Sequence, residues 1–266
     1  MLNKVPEIIA AFWVVKVLST TVGETFADYL NTEVGLGLWG TIAVMAGGLA
    51  LALVVQMRMR RYYPPVYWLV VVLVSIVGTL ITDAMTDVYG VPLLVSTVVF
   101  AVALAATFAV WYRSERTLSI HTIVTSKREA FYWLAILFTF SLGTAAGDYL
   151  SEDVGLGYLK TGLLFGSLIL LTWLAYRFTS LGEVTAFWAA YVMTRPLGAS
   201  IGDYLTAAPD EGGLGLSVNA VSWTFFAAIL SLVIWMTVRQ RSADRVATGV
   251  GDEDPDDLRE VVTADA

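Results

Sequence analysis

The chain has no cysteine and a single histidine, His121. The first absence excludes disulfides, zinc thiolates, iron–sulfur clusters and thiol redox chemistry, and the second excludes multi-histidine metal or haem sites. Charge is scarce as well. Asp, Glu, Lys and Arg make up 15% of 266 residues, where a soluble domain carries about 25%. There is no HExxH, no P-loop, no Ser/His/Asp set and no soluble segment large enough to house a site, so an enzyme is not expected. No nucleic-acid partner is expected either.

What fills the chain instead is apolar. Hydrophobic residues reach 57% and mean hydropathy is +0.71. Apolar runs of about 20 residues recur along nearly the whole length, enough to cross a hydrocarbon core of about 30 Å. The amphipathic periodicity of a soluble helical core is missing. The fold class that follows is all-α, a polytopic membrane protein. Met1 to Val5 runs straight into the first apolar segment, so no cleaved leader is expected. Of the net charge of −7, −6 falls between Ala243 and Ala266, a stretch without aromatics. Such a segment buries too little surface to order itself. It is expected to be a disordered acidic cytoplasmic tail, with partner docking as the other reading.

Four copies of one unit emerge when the chain is aligned on Trp13, Trp68, Trp133 and Trp188. Ten residues after each lies a glycine (Gly23, Gly78, Gly143, Gly198), and fifteen after each an aspartate (Asp28, Asp83, Asp148, Asp203). Three copies then reach a Gly-Leu-Gly turn at Gly35, Gly155 and Gly213, which degenerates in the second copy to Gly90-Val91-Pro92. The tryptophans stand 55, 65 and 55 residues apart, the pattern of two successive duplications. Each copy reads as helix, short loop, helix. The expected spans are 6–28, 37–57, 65–85, 91–112, 129–149, 156–177, 183–205 and 215–238. Pro6 and Pro64-Pro65 fall in first turns, and Ser126-x-x-Glu129 and Ser180-x-x-Glu183 have capping-box spacing. The expectation is eight transmembrane helices forming four parallel two-helix repeats around a pseudo-symmetry axis. They make one transmembrane domain over 1–242, with repeats at 4–58, 61–112, 125–178 and 180–239, followed by the tail at 243–266.

Connections from even to odd helices carry Arg58, Arg60, Arg61, Arg113, Arg116, Lys127, Arg128 and Arg177. The opposite loops carry Glu33, Asp87, Glu152, Asp153, Asp210 and Glu211 with no lysine or arginine. Basic loops stay inside, which puts both termini in the cytoplasm and the protein in the plasma membrane. The tryptophans and tyrosines are read as interface anchors, and the four glycines as close-packing positions. His121 is expected at the surface.

Several stretches carry a likeness to a known family. These are Lys4-Val5-Pro6-Glu7, Thr21-Val22-Gly23-Glu24, Ser119-Ile120-His121-Thr122-Ile123, Tyr132-Trp133-Leu134, Gly143-Thr144-Ala145-Ala146-Gly147-Asp148 and Arg195-Pro196-Leu197-Gly198-Ala199-Ser200. In these the chain resembles a family of four-repeat prokaryotic integral membrane proteins catalogued as uncharacterised and membrane-anchored. Its repeat has two transmembrane segments and a marked tryptophan. The resemblance covers all but the tail and implies the architecture; it implies no activity.

Functional candidates lie on one face of each odd helix. Trp13, Lys16, Thr20, Glu24 and Asp28 are spaced three or four apart and form one ladder. The equivalents end in Thr79 and Asp83, Thr144 and Asp148, and Ala199 and Asp203, with Arg195 one turn below Ala199. Intramembrane ionisable groups usually face the bundle interior and mark function. The expected pathway therefore comprises Asp28, Asp83, Asp148 and Asp203 above Glu24, with Lys16, Arg195, Thr20, Thr79 and Thr144. Oxygen ligands without Cys or a nearby His favour hard cations, namely Mn²⁺, Mg²⁺, Ca²⁺, Na⁺ or H⁺. Glu24, Asp28, Asp148 and Asp203 are the candidate metal ligands for a bound divalent cation; no other cofactor is expected. A cation transporter or channel-like protein is the leading reading. An anion carrier using Lys16 and Arg195, and a non-transporting sensor or scaffold, are the alternatives. Glu24 is expected to meet Arg195 or Lys16 across the axis, and Pro196 to kink the helix beside the arginine.

Overall fold

The computed structural model describes residues 3–247. They form eight long helices joined by short connections, with no strand among the described residues. The helices are α1 (Ala10–Asp28), α2 (Gly37–Arg58), α3 (Pro64–Asp83), α4 (Leu93–Glu115), α5 (Ser126–Asp148), α6 (Tyr158–Phe178), α7 (Glu183–Thr206) and α8 (Val218–Ala247). Six are long and apolar enough to cross a membrane; α1 and α7 are the exceptions. Those two carry Lys16, Glu24 and Asp28, and Glu183, Arg195 and Asp203.

Local chemistry explains most boundaries. Pro64 opens α3, where a missing N–H costs nothing. Gly157 (φ 74°) and Gly37 (φ 66°) stand at the starts of α6 and α2 in a left-handed conformation that a β-carbon disfavours. This is why the Gly-Leu-Gly turn recurs; Gly90 (φ 64°) does the same duty in the degenerate copy. Other expected signals fail. Pro6 is not in a first turn, because α1 starts only at Ala10. Thr125, not Ser126, caps α5 by accepting from the Arg128 N–H, and the predicted box partner Glu129 turns elsewhere. At α7 the cap position is Gly182, and Glu183 reaches His121 instead. The last helix runs on to Ala247, so the first five residues assigned to the tail are helical. Asp244 there pairs with Arg61 at 3.0 Å. The remainder of the expected tail lies outside the described residues.

Packing follows an unanticipated rule. The four odd helices close a ring, with α1 and α5 each touching both α3 and α7. The even helices lie outside it, and each leaves its own repeat: α2 packs on α3, α4 on α5, α6 on α7 and α8 on α1. The helix-loop-helix unit read from sequence is therefore open, and its outer half is completed by the next unit.

The ring is tight because each glycine ten residues after a tryptophan seats a side chain from the next inner helix. Ser75 sits on Gly23, Phe140 on Gly78, Arg195 on Gly143 and Thr20 on Gly198. A β-carbon at Gly78 would come within 2.8 Å of the Phe140 Cβ. Hydroxyl-to-carbonyl bonds across the same crossings add to this, from Thr21 to Gly198 at 3.0 Å and Thr82 to Ser141 at 3.2 Å. Small residues and hydroxyls at helix crossings are how packing replaces the hydrophobic effect where solvent is lipid.

The tryptophans are a correction. Trp68, Trp133 and Trp188 are buried, not interface anchors. With Phe12, Tyr67, Tyr132, Phe187 and Tyr191 they fill the basic end of the ring, where the Tyr67 and Tyr132 hydroxyls meet at 2.5 Å. Tyr62, in the connection before α3, accepts the Trp68 indole N–H at 3.2 Å. Burial pushes its hydroxyl above the ordinary tyrosine value, so it stays protonated. Under this layer the N-terminal segment crosses the end of the bundle: the Lys4 N–H donates to the Ile123 carbonyl, and Lys4 Nζ meets Glu129 at 2.6 Å.

Candidate functional site

At the acidic end the ring opens into a vestibule of about 410 Å³. All four repeated aspartates line it, each half-buried, with Glu24 at its floor. Asp87, Glu152, Asn31, Tyr158, Thr86 and Thr206 complete the polar wall, and no lysine, arginine or histidine among the described residues lines it. The sequence had offered Asp87 and Glu152 only as loop charges. Immediately after Asp28, Asp83 and Asp148 the helices continue as a π-helical turn, Tyr29–Glu33, Ala84–Val88 and Tyr149–Asp153. That extra turn keeps Asp87 and Glu152 on the inner side, four residues beyond Asp83 and Asp148. An acid at that interval was the signal that could have found them. π-turns inside helices are frequent at functional sites. The fourth repeat lacks one: α7 ends at Thr206, just before Pro209.

One turn deeper, the expected meeting of Glu24 and Arg195 is present. Arg195 is fully buried, and its Nη2 reaches Glu24 Oε2 at 2.5 Å. The same nitrogen donates to Thr144 Oγ1 at 2.6 Å and to Thr79 Oγ1, while Nη1 donates to the Thr20 carbonyl at 2.9 Å. Thr144 gives its own proton to the Phe140 carbonyl at 3.2 Å, and Thr79 has the Ser75 carbonyl and Glu24 within 3.3 Å. Both hydroxyls therefore present lone pairs to the guanidinium. All four repeats thus contribute to one cluster: the first through Glu24 and the Thr20 carbonyl, the second and third through threonine hydroxyls, and the fourth through the guanidinium. A guanidinium stays charged in proteins; the carboxylate and three neutral acceptors answer Nη1 and Nη2, while Nε has no hydrogen-bond partner among the described residues.

Lys16 behaves differently. It too is fully buried, but Nζ makes no hydrogen bond among the described residues. Its nitrogen stands 3.8 Å from the centre of the Phe140 ring and 4.3 Å from that of Tyr191, within cation–π range. Pairing of Lys16 with Glu24 or a ring aspartate does not occur; Glu24 is taken by Arg195. The aromatic box of Phe140 and Tyr191 went unread, because nothing in either residue's own helix points to Lys16.

The expected metal ligands are brought to one cavity, but not to one point. Among the described residues no three His, Cys, Asp or Glu side chains are grouped so as to hold a metal ion. His121 is exposed, as expected, and bonds Glu183 at 2.9 Å.

The profile of the family described as "Repeat of Unknown Function (DUF347)" matches the chain four times, over residues 11–62, 66–117, 131–181 and 186–242. Each match begins two residues before a repeated tryptophan and takes in one inner and one outer helix. No curated protein and no solved structure matches the chain.

Proposed function

We propose, for a chain that belongs to the DUF347 repeat family of unknown function, a membrane transporter or channel-like protein for a small hard cation. In this reading all eight helices cross the plasma membrane, with four parallel repeats around an axis along the membrane normal. Both termini are cytoplasmic and the vestibule faces outward, as the charge asymmetry of the loops supports. α1 and α7 cross despite their charges because Lys16, Glu24 and Arg195 are turned inward and buried.

The observation that carries the proposal is the lining of the vestibule: four aspartates from four inner helices, with Glu24, Asp87 and Glu152, and no base. Acids so confined raise the local concentration of cations. An ion there keeps part of its hydration shell, since no three carboxylates converge to strip it; Mg²⁺ in particular dehydrates reluctantly. Below the vestibule, Arg195 puts positive charge on the path, Lys16 lies buried beneath it, and the aromatic layer closes the way. Passage therefore requires Glu24 to leave Arg195, by rocking of the two halves or by a local gate. In this reading the arrangement described corresponds to a closed state.

The test is equilibrium binding of Mn²⁺, Mg²⁺, Ca²⁺ and Na⁺ to the purified protein, with flux in proteoliposomes. Asp148→Asn with Asp203→Asn is expected to weaken binding by about tenfold or more, which is about 1.4 kcal/mol. Undiminished binding in that variant, or no binding and no flux of any of these ions or of protons, overturns the proposal. A scaffold or sensor is the second reading, favoured by the binding of Arg195 to acceptors from the three other repeats. It is the outcome if ions neither bind nor move. No observation favours the anion carrier, since Arg195 and Lys16 are both enclosed by the chain.

A further inference from the structure

A second cavity, of about 590 Å³, opens at the basic end between α6, α7 and the start of α1. It has the size of a small-molecule site. α6 packs on α7 and has no comparable packing on α1. The space left between α6 and α1 is walled by Trp13, Leu170, Trp173 and Phe187. Apart from Thr172, whose hydroxyl donates to the Leu168 carbonyl, its polar groups gather at one end, where Ser119 lies near the His121–Glu183 pair. Arg116 and Arg177 flank that end in sequence, two residues before Leu118 and one after Tyr176, both of which line it.

We propose that this cleft binds one acyl chain of an anionic phospholipid from the leaflet at the basic end, with the phosphate near His121, Arg116 and Arg177. Two observations choose a lipid over a protein partner. The cleft opens beside α6, a helix apolar enough to span a membrane whose apolar window is only 11% buried, so lipid is the solvent at its mouth. Its polarity also runs from apolar depth to polar rim, as a chain with a headgroup requires; Arg116 and Arg177, adjacent to it in sequence, bring charge that complements a phosphate, while the one lining carboxylate, Glu183, is engaged by His121. The site stands apart from the acidic vestibule and does not depend on its function. It does reach the axis: Phe187 on the cleft wall lies 5.4 Å from Tyr191, whose ring covers Lys16 Nζ. A chain in the cleft therefore bears on the Lys16 box.

The experiment labels the purified full chain, in mixed vesicles, with a phosphatidylglycerol carrying a photoreactive acyl chain, followed by peptide mapping. Label is expected to concentrate on residues 166–176 and 184–190. Ala190→Phe, which fills the cleft, should lower it there by about tenfold, about 1.4 kcal/mol. Arg116→Gln with Arg177→Gln leaves the apolar walls untouched and should abolish the preference for phosphatidylglycerol over phosphatidylcholine. Label spread equally over the outer faces of α2 and α4 overturns the proposal, as does an undiminished yield in folded Ala190→Phe. Loss of cation binding with intact labelling would count against the proposed function alone.

Discussion

The aspartate layer and the layers just beneath it are built by the same four helices, yet they differ in kind. At the mouth every repeat supplies the same residue, Asp28, Asp83, Asp148 and Asp203. One turn deeper the four equivalents are Glu24, Thr79, Thr144 and Ala199, and one turn deeper again Thr20, Ser75, Phe140 and Arg195. Positions that hold the ring together, the tryptophans and glycines, are repeated like the aspartates. Positions inside the ring below the mouth differ between copies, the shared threonines Thr79 and Thr144 excepted. A single buried guanidinium needs one carboxylate and several neutral acceptors, and four identical residues around it could not provide them: four arginines would repel, and four glutamates would leave three unpaired. Duplication supplied the frame and divergence supplied the centre.

The sharpest way to break that contrast is at the single-copy pair. Arg195→Ala leaves Glu24 buried without its partner, which costs about 3–5 kcal/mol. Adding Glu24→Gln should return part of it, as thermal unfolding in detergent would record. If the double variant is as unstable as Arg195→Ala, the pair is not what holds the layer. At a repeated position, Gly78→Ala drives a β-carbon into Phe140 and should cost about 1–3 kcal/mol by overpacking. Gly47→Ala in α2, where a β-carbon meets nothing within 4 Å, should be neutral or better. Equal effects would dissolve the glycine seats. Thr79→Val and Thr144→Val each delete one acceptor of Arg195 while keeping shape, for about 1–3 kcal/mol apiece. Their effects should not add, because both serve one nitrogen. The smallest effect belongs to the surface: Arg61→Ala removes an exposed pair with Asp244 and should change stability by about 0–1 kcal/mol.

The fold was legible in unequal parts. Helix number, order and most boundaries followed from apolar run length, glycine turns and Pro64. The ladders on the inner faces followed from helical spacing, which placed Glu24, Arg195 and all four aspartates correctly. The tryptophans misled because an aromatic near a helix end looks the same whether it faces an interface or a neighbour's ring. Asp87 and Glu152 were missed because the helices were expected to end at 85 and 149, so the four-residue interval was not carried into the π-turns that follow. The capping boxes failed for a related reason: Glu129 is drawn to Lys4, 125 residues away, and Gln56.

The sequence by itself determined which face each inner helix turns inward, since periodicity of three and four residues is a local property of one helix. It also determined the repeat, because a duplication is written in spacing. Tertiary structure alone decided who meets whom. Each outer helix packs on the following repeat, the ring closes between α7 and α1, and Glu24 goes to Arg195, 171 residues away, while Lys16 is left to two aromatic rings. Those partnerships depend on the order of helices around the ring and on the depth of each glycine crossing. Both are set by many weak contacts acting together, and no single helix encodes them.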